Sequence, residues 1–166
     1  RGNVLFMILI AVALLAALTM VMSRGDGEHA ISLSSDKLAQ EIYAQAQSIR
    51  SAIIECNLVN NYGYPLENKV AVKDITCQTD DSPTYTPIFT GTANRVMPLS
   101  PSGFDAWIYY NNGAGEIFFR TGSSKMHDPV IVNALEILKG KYNTDNGEAT
   151  IINDGSEASI AVFISH

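Results

Sequence analysis

The chain has 166 residues, with eleven Lys/Arg against seventeen Asp/Glu and a formal net charge of −6. This balance argues against nucleic acid as a partner, because phosphate binding needs a clustered basic face and no such cluster occurs. With only two cysteines and no nearby histidine at ligand spacing, a tetrahedral metal site has too few donors.

The first element is the run Val4 to Met22, VLFMILIAVALLAALTMVM, apolar throughout but for Thr19, free of Gly and Pro, and flanked by Arg1 and Arg24. A helix needs roughly 20 apolar residues to span a hydrocarbon layer of roughly 30 Å, and the run has that length. In lipid every backbone polar group must pair within the segment, so the run is predicted to be helical. A secretory signal is the weaker reading: its apolar part is about 7–15 residues and ends at a small-residue cleavage site, which Met20-Val21-Met22-Ser23 does not provide. A plain membrane anchor and a polymerisation stem remain. Arg1 and Arg24 belong to this part, so the chain from Gly25 onward carries nine of the basic residues and all seventeen acids, a balance of −8. Roughly 140 residues there suffice for one domain with its own core.

Three segments follow from this reading: the apolar helix over 1–24, a hinge over 25–34 and a head over 35–166. Gly25-Asp26-Gly27 breaks a helix or forms a joint, although a helix running straight through is the alternative. Ser34 or Ser35 is the expected cap of a second helix, with Asp36 favourable in its first turn. Leu38, Ile42, Ala46, Ile49, Ile53 and Cys56 then recur at steps of three and four and mark one buried face. Lys37, Gln40, Gln45, Gln47, Arg50 and Ser51 mark the other. Asn, Gly and Pro in Asn57 to Leu66 end the helix, and the alternation in Lys69 to Cys77 predicts a short strand. Gln78 to Gly103, with four prolines, reads as one long loop. It is either a partner contact or an irregular loop pinned by Ile88, Phe89, Val96 and Met97.

Phe104 to Tyr110 and Glu116 to Arg120 form the clearest hairpin, linked by Asn111-Asn112-Gly113-Ala114-Gly115, residues that tolerate positive φ. Trp107, Tyr109, Phe118 and Phe119 read either as core or as a stacking platform for a ligand or sugar. Asp128-Pro129 starts another helix as N-cap and first helical residue. Val130, Ala134, Leu135, Ile137 and Leu138 form its apolar side, and Gly140 or Asn143 ends it. A last hairpin pairs Ala149 to Ile152 with Ala158 to Ile164. The expected class is α+β: the apolar helix continues through the hinge into an amphipathic helix packed on a small, mainly antiparallel sheet of about four strands.

No catalytic constellation emerges. His29, His127 and His166 belong to no nucleophile or metal motif, and no phosphate loop or hydrolase elbow occurs. No enzymatic activity and no cofactor are expected. Asn143, Asp145, Gly147 and Glu148 faintly suggest a calcium loop, but the twelfth position is Asp154 rather than a bidentate glutamate.

Arg1-Gly2-Asn3 running directly into the apolar helix, then a polar-faced helix and a Gly- and Asn-punctuated β region with two cysteines, resembles the type IV pilins and pseudopilins. The family's Glu at the fifth mature position has no counterpart: that position is Leu5 counted from Arg1, or Met7 counted after Gly2, and no acid precedes Asp26. The resemblance implies a structural subunit of an extracellular filament, with adhesion, motility, DNA uptake or secretion as its use. It implies a helical homopolymer as partner, a prepilin peptidase and an assembly platform. The subunit would sit in the inner membrane before assembly and in a cell-surface filament afterwards. In that setting Val4, Phe6, Ile8, Ala11, Ala13, Ala16, Ala17 and Leu18 pack a dry filament core, the alanines permitting close approach. Arg1 needs an acidic partner, for which Asp26 or Glu28 of a neighbouring subunit is expected. In an exported domain Cys56 and Cys77 form most simply one disulfide, with two buried thiols as the alternative. A membrane-anchored periplasmic binding or scaffold domain, or a pseudopilin of a secretion system, is the rival reading.

Overall fold

The three-to-four-residue spacing of apolar side chains takes effect in α1: residues 30–58 are helical throughout. Leu38, Ile42, Ala46, Ile49, Ile53 and Cys56 are all buried, as the periodicity demands. The computed structural model describes residues 30–58, 63–79, 84–89, 96–142 and 146–165. The chain divides into two compact units, Arg1–Ser34 and Ser35–His166; of the first, only residues 30–34 are described.

After α1 come β1 (Asn68–Ala71), a 3-10 turn (Val72–Asp74), β2 (Thr76–Thr79) and β3 (Thr84–Pro87). Then follow β4 (Ile108–Tyr110), β5 (Ile117–Ser123), helix α2 (Pro129–Lys141), β6 (Ala149–Asn153) and β7 (Ala158–Ser165). One sheet has five strands in the order β1-β4-β5-β7-β6, and β2 and β3 form a separate two-stranded ribbon. All these pairings are antiparallel. Alternation along β5 buries Ile117, Phe119, Thr121 and Ser123, and Ile160 and Val162 of β7 join them. Ile131, Ala134, Leu135 and Leu138 of α2 and the buried face of α1 belong to the same apolar cluster.

Helices on antiparallel strands were expected; several other features were not. The long apolar helix continuing through a hinge does not stand as the fold. Residues 30–34, assigned to the hinge, are helical, so neither Ser34 nor Ser35 caps a helix, and Ser35 is buried. No helix among the described residues is long and apolar enough to cross a membrane. Val4 to Met22 and residues 25–29 lie outside the described residues. The sheet has five strands rather than about four.

The strand predicted over Lys69 to Cys77 is broken by the 3-10 turn. That turn sends both Val72 and Ile75 into the core, which a straight strand could not do, since residues three apart alternate faces. The stretch 78–103, read as one long loop, contains β3, which ends on Pro87 and pairs with β2 from Thr76 to Thr79. Ile88 is buried, and Phe89 and Met97 pack against the core, but Val96 is exposed. Helix α2 starts as predicted: the Asp128 carboxylate accepts the Val130 N–H at 2.9 Å, with Pro129 in the first turn. Gly140 lies inside it, and Tyr142 is the C-cap.

Candidate functional site

Strand alternation sorts the hairpin aromatics. Trp107, Tyr109 and Phe119 are fully buried, so three of the four residues of the expected stacking platform belong to the core. Trp107 meets Phe119 edge-on at 5.4 Å, and its indole N–H donates to the Gln45 amide oxygen at 3.0 Å. That bond explains why Gln45 is buried, although its position in the helix pattern marks it as polar. Gln45 in turn donates to Glu41 at 3.2 Å.

Phe118 lies on the opposite face of the sheet. It stacks on Tyr110 at 4.7 Å with planes 13° apart, and it meets Phe163 at 5.5 Å and 47°. The three half-buried rings form a row across β4, β5 and β7. At the Tyr110 end of the row is a half-open cleft of about 320 Å³, lined by Asn68, Tyr110, Asn112, Glu116, Phe118 and the Ala114-Gly115 backbone.

The walls of the cleft are built by local turn chemistry. Asn111 accepts the Gly113 N–H at 3.0 Å, and Asn112 accepts the Ala114 N–H at 3.0 Å. Gly113 adopts φ +74°, which glycine alone takes without strain. The Asn111 amide donates to the Pro65 carbonyl at 2.8 Å, and the Tyr109 hydroxyl donates to the same oxygen at 3.1 Å. Burial pushes the Tyr109 phenol up to about 12, against a smaller opposing pull from Asn111. Asn111 N–H also donates to the Glu67 carbonyl at 2.9 Å, while the Glu67 carboxylate accepts Thr76 Oγ1 at 2.9 Å. The loop is thus stitched to the segment before β1 and to β2. Beside Tyr110, β1 is irregular. Its register with β4 shifts between Asn68 and Val70, and Lys69 holds φ +61°, the only non-glycine with positive φ among the described residues.

Cys56 and Cys77 are joined in a disulfide with Cα atoms 5.9 Å apart, which closes the alternative of two thiols. The remaining predicted site residues, Arg1, Val4, Phe6, Ile8, Ala11, Ala13, Ala16, Ala17, Leu18, Asp26 and Glu28, lie outside the described residues. So do 143–145 of the stretch weighed for calcium. Among the described residues no group of three His, Cys, Asp or Glu could hold a metal. Asp154 closes a turn instead: its carboxylate accepts the Ser156 N–H at 2.9 Å, the Ser156 hydroxyl at 2.6 Å and the Glu157 N–H at 3.1 Å. These bonds, Ser156's hydroxyl foremost, hold its carboxyl below the usual range.

Sequence reasoning missed Tyr110, Asn68, Asn112 and Glu116 as a group. The available signal was the period of two, which sets Tyr110 opposite Tyr109. Comparison with protein-family models, with curated proteins and with solved structures finds no match to this chain.

Proposed function

We propose that this chain is a structural subunit of a type IV pilus-like extracellular filament, polymerising through its N-terminal apolar segment. The observation that carries the reading is the run Val4 to Met22, bounded by Arg1 and Arg24 and followed closely by the one-sided helix α1. A segment that apolar is stable only away from water. Lipid provides that surrounding before assembly, and a bundle of identical segments provides it afterwards. A repeated head-to-tail contact of this kind does not close, and so it grows into an open helical polymer.

In this reading Ala11, Ala13, Ala16 and Ala17 let neighbouring segments approach, and Val4, Phe6, Ile8 and Leu18 fill the space between them. Asp26 or Glu28 of one subunit neutralises Arg1 of the next. The subunit waits in the inner membrane, is processed by a prepilin peptidase and is added by an assembly platform. Electron microscopy of material sheared from the cell surface, with mass spectrometry of the chain and its N-terminal residue, tests the proposal. Thin filaments composed of this chain are expected. Its retention in the inner membrane, with none in the sheared fraction, would instead indicate an anchored scaffold domain or a pseudopilin. Charge reversal at both Asp26 and Glu28 is expected to reduce filament yield.

A further inference from the structure

We infer that the cleft between β1 and the 111–116 loop binds a neutral hexopyranose, either free or as the end of a glycan. The volume, about 320 Å³, falls at the lower end of the range for small-molecule sites and suits one sugar ring. The lining combines the Tyr110 and Phe118 rings, apolar surface for the C–H groups of a pyranose, with the Asn68, Asn112 and Glu116 side chains, polar groups for its hydroxyls. The Asn68 and Glu116 side chains have no hydrogen-bond partner among the described residues. Asn112 commits only its oxygen and keeps its amide N–H donors for a ligand. Together the amides donate and accept, and the carboxylate accepts, which matches adjacent hydroxyls that do both.

Charge decides between ligand classes. Among the described residues of the lining Glu116 is the only carboxylate and none is basic, a balance that disfavours phosphates and acidic sugars. A quaternary ammonium would use the rings and Glu116 but has no hydrogen-bonding group to offer the two exposed amides. The site is also preorganised, which a small, weakly held ligand requires. The loop is fixed by its own Asn turns and by Pro65, and the Asn68 wall is set by a strained residue at φ +61° beside a bulge. Backbone strain of this kind persists where surrounding structure enforces it, often beside a binding site. The inference is independent of polymerisation, since the cleft belongs to a single chain.

The test is an amide NMR titration of the full isotope-labelled chain, in a detergent without a sugar headgroup. The ligands are the methyl glycosides of glucose, galactose, mannose and N-acetylglucosamine, with choline chloride alongside. Saturable shifts at Asn112 to Glu116 with at least one glycoside are expected. Glu116→Ala and Asn112→Ala, both exposed, should retain the folded spectrum and bind about tenfold more weakly or worse. Absence of shifts with all four glycosides, shifts unchanged in both variants, or a response to choline alone would each overturn the inference.

Discussion

The bond from Trp107 to Gln45 joins the hairpin to α1 across the core, and both side chains are buried. Gln45→Ala would leave the indole N–H without an acceptor, a cost of about 1–3 kcal/mol in urea unfolding. Gln40→Ala on the exposed face should stay within about 0.5 kcal/mol of the parent. At Lys69, φ +61° tolerates glycine but not a β-branched side chain. Lys69→Val should therefore cost about 1 kcal/mol or more, while Lys69→Gly should not. Tyr109 gives a pH dependence. Its phenol is raised by burial from 10.0 to about 12, so between these values the folded chain holds a proton that the unfolded chain has released. The Tyr109 contribution to stability is accordingly constant below pH 10 and falls as pH rises toward 12. Tyr142, also raised by burial, acts in the same direction. In an ultraviolet titration these two phenols should ionise last, together with loss of the fold.

Among the elements, α1 and α2 were legible because their signals are local. Six apolar residues at helical spacing reappear as the buried face of α1, and Asp128-Pro129 marked the start of α2 in both sequence and structure. The strand signals were less complete. The 3-10 turn at Val72 is fixed by a bond from its N–H to the Trp107 carbonyl at 2.9 Å, a partner 35 positions away that no window on the sequence contains. β3 was hidden by its prolines, and its pairing depends on β2. The cleft was illegible for the same reason, since Asn68 meets Tyr110 only through the register of β1 with β4. The disulfide spans 21 positions between the end of α1 and β2, and its reduction should cost about 3 kcal/mol by the chain-entropy relation. Chemical unfolding with and without reductant measures this directly. Asp128→Ala, which removes the α2 cap, should cost about 1 kcal/mol in the same assay.

For the whole molecule the sharpest question is whether the apolar segment only anchors or also polymerises. Ala13→Leu combined with Ala17→Leu preserves apolarity but removes the small side chains that would let segments approach. Membrane fractionation should be unchanged, whereas filament yield in the sheared fraction should collapse; a plain anchor would show no difference in either. The Cys56–Cys77 bridge also sets how the molecule answers a mechanical pull. Tension applied between the N-terminal end of α1 and the C-terminal end of β7 reaches Cys56 and crosses directly to Cys77. The covalent path thus bypasses the intervening chain, which includes β1 and Glu67. In force spectroscopy the oxidised chain should extend less on unfolding than the reduced chain, by about 70 Å for 21 residue steps. The bridge therefore takes the β1 side of the cleft off the covalent load path, while β4 and the 111–116 loop, beyond Cys77, stay on it.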